Sequence, residues 1–214
     1  MLLVLAGIAV IVLVIAGYRL LFAPFREEEK SQEAARTFEE DWEGAPPLDV
    51  QLLTVNEYSR PGIPLEKING IVIHYTANPG SSAQANRNYF EGLKDEHTTK
   101  ASSHFVIGLE GEIVQCIPSS EISYASNDRN NDTLSIECCH PDESGKFTDA
   151  TYQSLVDLTA WLCQRFEVPT ENIIRHYDVT GKECPKYFVD HEDAWRQFRE
   201  EVSEAVSAGK EGEK

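Results

Sequence analysis

The chain has 214 residues, 41% of them hydrophobic, enough for one globular domain with a substantial core plus appendages. Its 19 Lys and Arg stand against 36 Asp and Glu, a formal charge of −17. That balance disfavours nucleic-acid phosphate as a partner, because such binding relies on clustered cations. The five cysteines, at 116, 138, 139, 163 and 184, lack the density of a disulfide scaffold, and free thiols are expected.

Residues 2–17 are apolar apart from Gly7 and Gly17, and only Arg19 carries charge before Arg26. A helix of about 20 to 24 residues covers a hydrocarbon layer of roughly 30 Å, so residues 1–24 read as a single transmembrane anchor. A cleaved signal peptide is the rival. The length of the apolar core and the lack of a basic residue ahead of it favour the anchor. Arg19, Arg26 and Lys30 all follow the span, which by the positive-inside rule would hold that side in the cytoplasm. Residues 25–47 are rich in Glu and Gln and close on Gly44-Ala45-Pro46-Pro47, an acidic stalk or linker.

The globular domain is expected over residues 48–207. It opens in extended chain, where Arg60-Pro61-Gly62-Ile63-Pro64 forbids regular helix. Residues 68–75 form the first strong strand, with Val72, His74 and Thr76 on one face and Ile71, Ile73 and Tyr75 on the other. Ser81 or Ser82 caps a helix over residues 83–93. Residues 103–109 and 112–117 pair as a hairpin about Glu110-Gly111. Residues 122–132 are crowded with polar side chains, which suits a binding loop and a turn-rich loop equally.

Strand returns over residues 133–139, with Ser135, Glu137 and Cys139 opposite Leu134, Ile136 and Cys138; a mid-strand glutamate is costly without a partner. Thr148 caps a helix over residues 149–166, and Ile173 and Ile174 form a short buried strand leading to His176. A last helix, residues 192–206, buries Trp195, Phe198 and Val202, and the tail at 208–214 frays. Strands interleaved with helices predict an α/β fold: a mixed central sheet flanked by helices on both faces, preceded by the anchor.

Two histidines and a cysteine carry the chemistry. His74 and His176 end apolar runs, and Cys184 follows His176 by eight residues on a Gly-containing loop that can fold back. Three protein ligands on zinc leave a fourth position open for water, the arrangement of a catalytic centre and not of a closed structural one. Taken singly, each has a plainer reading: a strand-end histidine as a hydrogen-bonded core residue, a buried cysteine as a small hydrophobe.

The segments Ile71-Val72-Ile73-His74-Tyr75-Thr76, Ser102-Ser103-His104-Phe105-Val106-Ile107, Leu134-Ser135-Ile136-Glu137 and the run from Arg175 to Pro185 resemble, in order and local sequence, the N-acetylmuramoyl-L-alanine amidase type 2 family. Peptidoglycan recognition proteins and phage lysozyme-type amidases share its fold. The resemblance covers roughly residues 48–205. It implies an open groove holding Zn²⁺ on His74, His176 and Cys184, with Glu137 and Lys182 as the catalytic pair. Ser103, His104 and Asn131 are the substrate-binding candidates.

The reaction so implied is zinc-dependent hydrolysis of the amide joining N-acetylmuramic acid to L-alanine in peptidoglycan, by a monomer. Two positions depart from the family: Ser103 stands where some phage-type members carry tyrosine, and Tyr124 where histidine is frequent. The rival from another class is a non-catalytic, membrane-anchored receptor for muropeptides or peptidoglycan; relatives that bind without cutting typically lose the metal cysteine, and Cys184 is present. A glycan-cleaving lysozyme is disfavoured, since no pair of carboxylates stands out as acid and nucleophile. Because the implied substrate lies outside the membrane, the expected location is the bacterial cell membrane, single-pass, with the catalytic domain extracytoplasmic.

Overall fold

The computed structural model of the protein describes residues 44–212, and Ala45–Lys214 form one compact unit. Its strands are β1 (Leu48–Val50), β2 (Gly70–Tyr75), β3 (Phe105–Ile107), β4 (Ile113–Gln115), β5 (Thr133–Cys138) and β6 (Ile173–Arg175). They make one sheet in the order β1-β4-β3-β5-β2-β6, parallel throughout except for the β3–β4 hairpin. The helices are α1 (Ala83–Glu96), α2 (Asp149–Arg165), α3 (His176–Thr180), α4 (Lys186–Asp190) and α5 (Glu192–Gly212).

The two central strands are buried runs of apolar and β-branched residues, as strands covered on both faces require. On one face, Ile71, Ile73, Phe105, Ile107, Leu134 and Ile136 pack with Leu155, Leu158 and Leu162 of α2 and with Trp195, Phe198 and Val202 of α5. On the other, Val106, Val114 and Cys116 lie under Ala83, Phe90 and Leu93 of α1. Helix α1 packs chiefly on β3 and β4. The same face of β2 and β5, where His74 and Glu137 point, is left beside an open groove.

The expected caps and turn are present. Ser82 Oγ accepts from the Ala85 N–H at 3.2 Å, and Thr148 Oγ1 accepts from the Thr151 N–H at 3.0 Å. Gly111 turns the hairpin at φ 83°, and a Cβ there would meet Ser154 Oγ at 2.8 Å and Ala150 O at 2.9 Å, so two independent constraints demand glycine. Three differences stand out. Strand β1 falls in the region read only as extended, and α3 and α4 fold in a stretch read as loop. Helix α5 continues past residue 206, partly because Gln164 Nε2 on α2 donates to Val206 O at 3.1 Å.

The expected anchor at 1–24, and all but the last four residues of the stalk at 25–47, lie outside the described residues. The single-pass membrane location is corrected: among the described residues no helix is long and apolar enough to cross a membrane. Even α5, at 21 residues, carries Glu192, Asp193, Arg196, Arg199, Glu200, Glu201 and Glu204, and charges in that number exclude it from hydrocarbon. No described helix supports the single-pass membrane location, and the extracytoplasmic placement, which rested on the implied substrate, is given up with it.

Candidate active site

Three parallel strands, β2, β5 and β6, deliver the site at their carboxyl ends, where open α/β sheets form their ligand crevices. His74 on β2 is in register with Glu137 on β5, so the two side chains share a face across one strand spacing of about 4.8 Å. His176 opens α3 directly after β6. The Arg175 N–H donates to Asp178 Oδ2 at 2.8 Å, closing the first turn, and Gly181 at φ 78° ends the helix five residues later.

That reversal lets the Tyr177 N–H donate to Cys184 O at 2.8 Å, which folds the loop back and seats the thiol beside the histidines. Arg175 locks the arrangement from below. Its buried guanidinium donates to Asp178 Oδ1 at 2.9 Å, to Glu192 Oε2 at 2.6 Å and to Phe188 O at 3.0 Å, tying α3 to α4 and α5. The Cys184–Pro185 peptide is cis.

The liganding atoms of His74, His176 and Cys184 lie within 4.8 Å of one another, and all three residues are buried. His74 Nδ1 is 3.8 Å from Cys184 Sγ, and the two imidazole rings meet edge-on with centroids 4.7 Å apart. Two polar atoms here are sealed from solvent with no hydrogen-bond partner, His176 Nδ1 and Glu137 Oε2. Native proteins rarely leave buried polar atoms so. An orphaned imidazole lone pair facing a thiol and a second imidazole fits a cation, and a nitrogen–nitrogen–sulfur donor set suits zinc with a fourth position open.

The electrostatics agree. Burial, then the neighbouring His176 and Lys182, hold His74 well below the ordinary imidazole range; burial and Lys182 lower His176 in the same way. Both shifts favour the neutral ring, the form in which imidazole ligates a metal. Burial, reinforced by Glu137, pushes the Cys184 thiol up to about 12. Burial pushes Glu137 up to about 8, against the opposing pull of Lys182. A cavity that disfavours two anions is one whose balance a bound cation reverses.

The groove above the cluster has a volume of about 380 Å³ and is lined by Glu137 and Lys182 together with Phe90, Lys100, Ser102, Tyr124, Asn127 and Asn130. Five of the expected site residues thus meet in one place. The other three do not. Ser103 is fully buried, its Oγ 3.0 Å from the carbonyls of Phe105 and Ser135. His104 is fully buried as well: Nδ1 accepts from the Ser135 N–H at 3.0 Å, and Nε2–H donates to Glu121 O at 2.8 Å. These two brace β3 against β5 and do not face the groove. Asn131 is exposed and outside the lining, where Asn130 stands instead.

What the sequence reading missed is the contact of the loop before β5 with the cluster. Ser126 Oγ lies 3.1 Å from His74 Nε2, and Asn127 Oδ1 lies 2.9 Å from His176 Nε2. The only signal for it was the polar crowding of residues 122–132. A larger hollow of about 610 Å³ lies at the opposite ends of the strands, beside Ile68, Phe166 and Asn172. It holds none of the histidines or cysteines.

Two imidazoles and a thiol beside an acid and a lysine, at the strand ends of an α/β sheet, form a cluster that could hold one metal ion beside an open groove. Residues 64–187 match the family model described as N-acetylmuramoyl-L-alanine amidase, more than half of the chain, and the chain belongs to that family. It is 37% identical over 161 residues to the N-acetylmuramoyl-L-alanine amidase CwlL of Bacillus licheniformis, a match covering 69% of this chain and 44% of that protein. It is 31% identical over 176 residues to the N-acetylmuramoyl-L-alanine amidase BlyA of Bacillus subtilis (strain 168), covering 72% and 46%. The catalytic domain of XlyA shares the fold, with a TM-score of 0.63 at 24% identity over 73% of this chain and 99% of that one. The chain spans less than half the length of these curated relatives.

Proposed function

We propose that the chain hydrolyses the amide between the lactyl group of N-acetylmuramic acid and L-alanine in peptidoglycan, with Zn²⁺ held by His74, His176 and Cys184. The observation that carries this is the convergence of those three donors, within 4.8 Å, beside the orphaned Glu137 carboxylate in an open groove. Bound there, zinc would polarise the scissile carbonyl and lower the pKa of a coordinated water from about 15.7 toward 7.

The chain's own groups then divide the remaining work. Glu137 Oε2, desolvated and without a partner, takes a proton from the attacking water and returns it to the leaving L-alanine amine. The ammonium of Lys182, whose charge already bears on Glu137, His74 and His176, stabilises the oxyanion that forms on the carbonyl. The groove's remaining polar walls, Lys100, Ser102 and Asn130 among them, supply contacts for a polar peptide and sugar. We assign the catalytic domain to residues 48–207, a reading that the compact unit Ala45–Lys214 supports.

A receptor that binds without cutting would have no use for a complete donor set beside an acid of raised pKa, and this disfavours that reading. The test is digestion of purified sacculi by a fragment of residues 45–214, with mass spectrometry of the products. Free stem peptides beginning at L-alanine, and glycan left uncut, are expected. New reducing sugar ends, or binding with no release, would overturn the proposal.

A further inference from the structure

We propose that Asn127 is a positioning residue for the metal site: its side-chain carbonyl fixes the tautomer of His176 so that Nδ1 is presented as a ligand. This rests on the metal-site reading above and adds to it a residue outside the donor set. The contact itself settles the direction. Asn127 Oδ1 carries lone pairs only, so the ring nitrogen 2.9 Å away, His176 Nε2, must donate. A neutral imidazole has one N–H, and placing it on Nε2 leaves the other nitrogen as a bare lone pair. That other nitrogen is the buried, partnerless Nδ1 of the cluster.

The adjacent residue contacts the second histidine, through a hydroxyl that can donate or accept. His74 turns Nδ1 toward Cys184 Sγ at 3.8 Å and Nε2 toward Ser126 Oγ at 3.1 Å. Two consecutive residues of one turn thus contact the Nε2 atoms of both imidazoles, leaving His74 Nδ1 toward the thiol and His176 Nδ1 buried without a partner. The turn is built to stay in place. Asn130 Oδ1 accepts from the Ala125 N–H at 3.0 Å and the Ser126 N–H at 2.6 Å. Arg129 donates to both Asp132 oxygens, at 2.7 and 3.0 Å, and Thr133 Oγ1 donates to Arg129 O at 2.6 Å. Asn127 sits at φ 53°, a left-handed conformation that asparagine tolerates better than most residues.

Partners of this kind on a ligating histidine orient the ring and raise its basicity, and losing one weakens metal binding about 10- to 100-fold. Asn127→Gly is the discriminating variant: it removes the acceptor while suiting the left-handed backbone, so a loss cannot be ascribed to strain. Asn127→Asp keeps an acceptor oxygen at the same reach and serves as the rescue. Zinc affinity of the full chain is measured by competition with a chelator of known affinity, and the His176 tautomer in the metal-free chain by imidazole nitrogen chemical shifts.

The expected result is an Nε2–H tautomer at His176 in the unaltered chain, a mixed tautomer and at least tenfold weaker zinc binding in Asn127→Gly, and near-normal behaviour in Asn127→Asp. Zinc bound by Asn127→Gly within twofold of the unaltered chain overturns the proposal, as does an Nδ1–H tautomer in the unaltered chain. Absence of zinc binding by the unaltered chain overturns the metal-site reading itself, and this proposal with it.

Discussion

Glu137 occupies a position that a strand interior would normally give to an apolar residue, and its buried Oε2 has no partner. Such a group destabilises the fold, a cost that a role in the reaction would explain. We expect Glu137→Gln and Lys182→Ala each to retain the metal while turnover falls by about 10²-fold or more, as for groups that act in the transition state. Normal turnover in either variant removes that residue from the mechanism. His104 makes a different prediction, about stability. Burial holds it at about 4, against the ordinary 6.5, so as pH falls the unfolded chain takes up the proton first. Its contribution is complete above about pH 6.5 and is lost as pH falls toward 4, a difference of about 3 kcal/mol. His74 and His176, also held low, act in the same direction in the metal-free chain. Glu91, Asp132 and Asp142 are held below their ordinary values and lose their share only at more acid pH. Glu137, pushed up to about 8, acts in the opposite direction over the same range, so the measurement is a difference: between pH 7 and 5 the urea midpoint of the unaltered chain should drop relative to that of His104→Gln; parallel curves would place the proton elsewhere.

At the level of elements, the chain from His176 to Cys184 is a short helix and a reversal held by one glycine. A Cβ on Gly181 would meet nothing within 4 Å, so Gly181→Ala acts through the φ of 78° alone and should cost about 1–2 kcal/mol. Because that reversal seats Cys184, zinc affinity should weaken as well. Thr148→Ala, which removes the cap of α2, should lower stability by about 1 kcal/mol and leave zinc affinity unchanged; equal effects of the two changes on zinc would deny the loop its special role. The two elements also differ in how readable they are. The cap Thr148 and the apolar stripe of α2 announce it locally, and period-two alternation within each strand sets which face His74 and Glu137 take. Helices α3 and α4, five residues each, are too short to show a period, and Arg175 holds them through Glu192, a partner 17 positions away. Strand β1, three residues long, is defined by its pairing with β4. The positions of Ser126 and Asn127 depend on how a polar loop folds over the groove, which neither composition nor periodicity encodes. Ser103 and His104 carry a recognisable motif, yet their burial between β3 and β5 is a tertiary fact.

For the whole molecule, a metal bound at the proposed site would couple chemistry to stability, because β2, β5 and the loop after β6 come together only in the folded chain. Zinc binding to the native state alone should raise the unfolding free energy by about 2.7 kcal/mol at a free concentration 100 times the Kd. Chelation should lower the melting temperature correspondingly, while Cys184→Ala should show no such response; a melting temperature indifferent to zinc would place the ion off the fold. The two apolar layers, α2 and α5 on one face and α1 on the other, pack the sheet whose strand ends bring the three candidate donors together without an ion. The most direct measurement of the central claim is zinc-edge X-ray absorption on the chain carrying one equivalent of the metal. The expected result is a four-coordinate shell with one sulfur at about 2.3 Å, two imidazole nitrogens at about 2.0–2.1 Å and one further light atom, with the sulfur lost in Cys184→Ala. A shell without sulfur, or one unchanged by removing Cys184, would contradict it.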